Sequence, residues 1–236
     1  MVSLVKLFLV ILCAMGVACS PGKLETSLAK PNGNSTPPQA KPSPSVAPSE
    51  QTTNCSLTKA EAPVVNALKL GMTQAEVLAV FPGSKDDPEL RSQLSRPASR
   101  LGVSNFVVLP ERLEPNDKFA AFSQFTFNLL DGRVSSVNIG YNGPVYSHVD
   151  EFVTRFVEGT NLPPADQWQP YTGMDTQLKI LICKDFEVRV FAGGKDGNLN
   201  YVLLTDLEAD KKLKDRRAKA RAQASPTPAA KATPKP

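Results

Sequence analysis

The chain has little of what enzymes use most. Its 236 residues include one histidine, His148, one tryptophan, Trp168, and four cysteines with no CxxC pair. That spacing offers neither a zinc site nor a thioredoxin-type redox centre. No Gly-rich phosphate loop, nucleophile elbow or HExxH segment occurs. His148 stands at the first turn of a helical pattern, an ordinary place for a polar residue. Asp86 and Asp87 precede Pro88, but Asp87 reads more simply as an N-cap with proline at the first helical position. The "DGN" at 196–198 lacks the other ligands of a calcium loop. These residues predict no catalytic constellation, no metal site and no cofactor. A hydrolase using Asp86, Asp87 and Asp196 is the alternative from a different class.

A long apolar run is missing too. "MVSLVKLFLVILCAMGVACS" has one charge, Lys6, then an apolar stretch from Leu7 to about Ala18. Spanning about 30 Å of hydrocarbon takes about 20 residues, so the stretch is too short. A charged start, an apolar middle and small residues at the end describe an export signal over 1–18. "MGVAC" resembles the bacterial lipobox, in which small residues precede a cysteine that becomes the acylated first residue. Gly16, Val17 and Ala18 fit, while the family more often has Leu three residues before the cysteine. The resemblance implies Cys19 as the lipid attachment and, with Ser20 following it, the outer membrane of a Gram-negative cell. Cleavage after Ala18 to give a soluble secreted protein is the alternative.

With Cys13 removed in the signal and Cys19 acylated, Cys55 and Cys183 remain as a pair in an oxidising compartment. A bridge between them would constrain a long loop of the unfolded chain. Two separate buried thiols are the other possibility.

Residues 19–54 read as a tether. Seven prolines fall within 20–53, among many Ser, Thr, Asn and Ala residues. Such sequence buries too little apolar surface to offset chain entropy, which predicts disorder. At its length it reaches on the order of 30 Å as a coil and about 100 Å if fully polyproline-like.

Charge is uneven along the chain. Residues 209–236 hold nine Lys or Arg and two Asp, net +7, whereas 57–208 carry −5 within a whole-chain +4. The segment 207–224, "LEADKKLKDRRAKARAQA", is rich in helix formers. It also contains the i,i+4 pairs Glu208–Lys212, Asp210–Lys214 and Asp215–Lys219. It has no apolar stripe, which excludes a core helix and a membrane-surface amphipathic helix. This tail is expected either to be simply solvated or to bind an anionic surface such as lipid headgroups or wall polymers. Nucleic acid is not an expected partner, because no aromatics interleave the charges.

The globular module is expected over 55–208. "LKLGMTQAEVLAVF" (68–81) opens it, with Thr73 and Glu76 placed as a capping box and Met72 and Val77 as a hydrophobic staple. Pro82-Gly83 then stops the helix. A short helix over 87–94 and a strand over 105–109 follow. "FSQFTFNLL-DG-RVSSVNIGY" is a hairpin about Asp131-Gly132. Phe125, Phe127 and Leu129 share one face, as do Val137, Ile139 and Tyr141, while Ser136, Asn138 and Gly140 give the hairpin a wet face. "YSHVDEFVTRFVEGTNLP" predicts a second main helix with Ser147 as N-cap and Gly159 near its end. "QLKILI", "FEVRVFA" and "LNYVLLTDL" read as a three-strand meander, with "GGKDGN" as its second turn. The expected fold class is α+β: a two-layer antiparallel sheet with helices on one face, in two tandem helix–strand halves.

"LGMTQAEVLAVFPG" resembles the "GMTxxEVxxxLG" segment of BamE/SmpA-type lipoproteins of the outer-membrane β-barrel assembly machinery. A similar segment occurs in tandem-repeat β-lactamase-inhibitor proteins. Gly71, Met72, Thr73, Glu76 and Val77 match. Phe81-Pro82 departs from the usual Leu-Leu-Gly, and the aromatic-rich strand expected soon afterwards is missing. The resemblance implies a helix–sheet fold and an envelope role, and brings no catalytic residue with it. The expected function is a membrane-tethered, non-enzymatic binding or assembly module of the cell envelope. Its partner, an envelope protein, would meet the polar sheet face or the loops near Trp168. A secreted inhibitor-like module is the alternative.

Overall fold

A computed structural model describes residues 55–114, 117–171, 177–193 and 199–224. The chain divides into Met1–Ala47 and Pro48–Pro236, and every described residue lies in the second unit. The signal, Cys19, the whole tether, residues 194–198 of the "GGKDGN" turn with Asp196, and residues 225–236 lie outside the described residues.

The fold is α+β, as the sequence predicts. Three helices, α1 (Gln74–Val80), α2 (Pro88–Leu94) and α3 (Val149–Val157), alternate with seven strands before a final helix, α4 (Leu207–Ala224). The strands are β1 (Val103–Val108), β2 (Phe122–Leu130), β3 (Arg133–Tyr141), β4 (Gln169–Pro170), β5 (Leu178–Ile182), β6 (Phe186–Gly193) and β7 (Leu199–Asp206). They form one antiparallel sheet in the order β1-β2-β3-β7-β6-β5-β4. The first half of the chain thus supplies a three-strand meander, β1 to β3, and the second a four-strand one, β4 to β7, each preceded by helix. The halves meet where their last strands, β3 and β7, pair from Ser136↔Thr205 to Tyr141↔Asn200.

One sheet face makes the core. Phe106, Phe125, Phe127, Ile139, Val202, Val190 and Leu181 are buried there against Val77 of α1, Leu90 of α2 and Phe152 and Val153 of α3. Burying a side chain of this size stabilises by about 1.5–3 kcal/mol before entropy is subtracted. The other face carries Asn105, Thr126, Asn128, Ser136 and Asn138 across β1 to β3, half-buried or exposed. In β5, Leu178, Ile180 and Ile182 are buried on that second face too, which is why "LKILIC" runs apolar without alternating.

Local chemistry sets the ends of the elements. Thr73 Oγ1 accepts from Glu76 N (3.3 Å), and Thr73 N donates to Glu76 Oε2 (2.7 Å). The preceding residues are also tied to the sheet: Gly71 N donates to Val134 O (2.8 Å) and Val134 N donates to Met72 O (2.8 Å). Asp87 caps α2 through Leu90 N (2.8 Å), with Pro88 at the first helical position. The β2–β3 turn places Asp131 at φ 53° and Gly132 at φ 78°, the positive-φ pair that a tight hairpin needs.

One expectation needs correction. The N-cap of α3 is His148, not Ser147, and its side chain makes no capping bond. Burial of Val149, Phe152, Val153 and Phe156 fixes where this helix begins, and it overrides the better local cap. Trp168 is part of the core: it is 3% exposed, and its indole N–H donates to Pro163 O (3.0 Å).

α4 follows β7 with no intervening residue and lies on the second face. Ala209, Leu213 and Arg217 line a hollow there with Asn128, Ser136 and Thr205. Lys214 pairs with Asp210 (2.7 Å) as the i,i+4 spacing predicts. Lys212 goes instead to Asp131 (2.9 Å), beside Arg216 Nη1 at 2.8 Å. No helix among the described residues is long and apolar enough to cross a membrane.

Candidate functional site

At the end of the sheet where β2 begins and β3 stops, four loops surround a groove. Its walls are residues 64–66, Ala121, the 141–146 loop, and Phe152, Arg155 and Phe156 of α3 with residues 158–160, and its volume is about 460 Å³. The groove is aromatic on one side. Tyr146 stacks on Phe152 with ring centroids 5.0 Å apart, Tyr141 meets Phe152 edge-on at 5.1 Å, and Phe122 lies 4.9 Å from Tyr141. Burial and the neighbouring Tyr146 push the Tyr141 hydroxyl above the ordinary tyrosine range, so this ring stays neutral at physiological pH. Arg155 and Glu158 supply the charges of the lining.

Asparagine side chains hold these loops in place. Asn66 Nδ2 donates to Lys118 O (2.7 Å), and Asn142 Nδ2 donates to both Ala120 O and Phe122 O (3.1 Å each). Asn161 Nδ2 donates to Glu61 O (3.0 Å), and Asn200 Nδ2 donates to Pro144 O (2.9 Å). The bonds from Asn66, Asn142 and Asn200 each join a wall to another segment of the chain, and that from Asn161 ties down the residue after the 158–160 wall, so the hollow is formed before anything enters it. The Gly143–Pro144 bond in one wall is cis. A second, smaller hollow adjoins the groove across Asn142, which lines both.

The residues singled out from the sequence fall elsewhere. Cys55 and Cys183 are joined as a disulfide, with Cα atoms 4.4 Å apart, and Cys55 N donates to Ile182 O (3.1 Å). His148 sits at the start of α3, and Asp87 is used as a cap. Among the described residues no three His, Cys, Asp or Glu side chains are grouped to hold a metal. The asparagine pins and the aromatic groove were not foreseen. Their members come from six stretches of chain and repeat at no helical or strand period. Tyr141, assigned from its spacing to an apolar strand face, was the one available signal.

The chain matches no family model, no curated protein and no solved structure.

Proposed function

We propose that the chain is a membrane-tethered, non-enzymatic binding module of the bacterial cell envelope, and that it docks an envelope protein in the aromatic groove. The observation that carries this reading is where the exposed apolar side chains lie. Val64, Val145 and Leu199 are the exposed large hydrophobics among the described residues, at 58%, 63% and 54%. Val64 lines the groove, Val145 lies between the lining residues Pro144 and Tyr146, and Leu199 adjoins Asn200, which binds Pro144 O. An apolar rim around a preformed aromatic hollow suits a protein partner. The asparagine pins reduce the ordering cost of binding.

The tether and envelope parts of the reading draw on sequence. The apolar run before Cys19, the Pro-rich residues after it and the BamE/SmpA-like "GMTQAEV" segment support them. The basic tail adds a second contact, to an anionic surface such as lipid headgroups or wall polymer.

Site-specific photocrosslinking in intact cells tests the reading. A photoreactive residue at Val145 is expected to give one discrete protein adduct, absent when the same group replaces Arg91 on α2. No adduct at Val145, or the same adducts from both positions, would overturn the docking site. Cys19→Ala is expected to move the protein out of the membrane fraction after a high-salt wash. Retention there would overturn the lipid tether and leave the groove untouched.

A further inference from the structure

The hollow beside the aromatic groove is lined by acids. Glu111, Glu114 and Asp117 line it, with no lysine or arginine among the described lining residues, around an apolar floor that includes Pro110, Leu113, Phe119 and Phe122. Its volume is about 290 Å³. The floor is fixed from below, where Phe119 stacks on Phe81 at 4.8 Å and Phe122 lies 5.0 Å from Phe125. Gly83 positions one of the acids. A Cβ on Gly83 would stand 3.2 Å from Glu114 Cγ, so the bare glycine leaves room for that carboxylate stem. The floor already attracts one cation: the Lys118 ammonium lies 5.8 Å from the Phe119 ring centre.

We infer that this hollow docks the chain's own Pro- and Lys-rich segment, residues 225–236, "SPTPAAKATPKP". The segment lies outside the described residues, and charge and composition select it. It holds Lys231 and Lys235, four prolines and no acid. Proline-rich chain is already extended and loses little entropy on docking, and its rings suit aromatic floors. The two ammonium groups answer the three carboxylates, and the surrounding sequence shows the same opposition: +7 over 209–236 against −5 over 57–208. An anionic surface that takes the tail would thereby empty the hollow. This hollow and the neighbouring groove share only Asn142 among their described lining residues, so loss of protein docking in the groove leaves the hollow intact.

The test uses the full chain carrying K231E and K235E, so that its own segment does not compete, and a fluorescein-labelled SPTPAAKATPKP peptide as probe. Fluorescence anisotropy is expected to show saturable binding that weakens as salt rises. Replacing Glu111, Glu114 and Asp117 by Gln, Gln and Asn is expected to weaken binding at least tenfold. The same loss of charge at Glu151, Asp166 and Glu208, none of which lines the hollow, is expected to change it less than twofold. No saturable binding overturns the inference. So does equal weakening by both triple variants, which would mean that the peptide follows net charge and not this site. Unchanged far-ultraviolet circular dichroism of each variant separates either result from misfolding.

Discussion

Thr73 ties a helix start to the core with one hydroxyl. Its Oγ1 satisfies Glu76 N, its own N–H is satisfied by the Glu76 carboxylate, and Met72 and Val77 on either side are buried. Thr73→Ala removes the acceptor and is expected to cost about 1 kcal/mol, measured as a lower urea midpoint with unchanged slope. Glu76→Gln keeps an oxygen facing Thr73 N–H and should cost less; an equal loss would assign the cap to charge. The hydrogen bonds from Thr73 hold the Glu76 carboxyl below its ordinary range. Its contribution is therefore present above the usual glutamate pKa and is lost as pH falls through the lower folded value. This cap was legible because all its parts lie within four residues. The start of α3 was not, since burial of Val149 and Phe152 overrode Ser147. The asparagine pins were illegible for the same reason: Asn161 and the Glu61 carbonyl it binds are 100 residues apart.

At the scale of elements, Asp131 has two duties. It supplies a positive φ to the β2–β3 turn, and it receives Arg216 Nη1 and Nη2 (2.8 Å each) and Lys212 (2.9 Å) from α4. Arg216 also donates to Leu101 O (2.7 Å), so one side chain joins α4, the hairpin turn and the chain entering β1. The turn was readable from "DG", but the clamp was not, because 85 residues separate its partners and α4 has no apolar period. Asp131→Asn separates the two duties, since asparagine tolerates positive φ and suits this turn but has no charge. Faster amide hydrogen exchange in Leu213–Arg217 is expected, with the global unfolding midpoint almost unmoved, because exposed ion pairs contribute little. Unchanged exchange would mean that Leu213 alone holds the helix. The bonds from Arg216 and Lys212 keep the Asp131 carboxyl well below the usual aspartate range. The clamp is therefore complete above the ordinary aspartate pKa, persists through mild acid, and opens only in strong acid as pH falls through the depressed value.

Across the whole molecule, the question is whether two similar halves behave as one. The sequence shows the order helix–strands–helix–strands, but not which edges meet, since an exposed edge gives no sign of its partner. The structure joins the last strands of each half, with Val137↔Leu204 and Ile139↔Val202 buried at the seam. The Cys55–Cys183 disulfide, spanning 128 residues, crosses between the halves as well. Core and covalent link together predict a single cooperative transition, as is usual for one domain of this size. Trp168, the sole tryptophan, is buried in the second half and reports on it alone. Leu129→Ala, on β2 in the first half at 1% exposure, should cost about 2–5 kcal/mol. If the seam couples the halves, the Trp168 fluorescence midpoint falls in step with the far-ultraviolet circular dichroism midpoint. A Trp168 transition that stays at its wild-type denaturant concentration while the circular dichroism curve splits in two would show independent halves, joined edge to edge without sharing their stability.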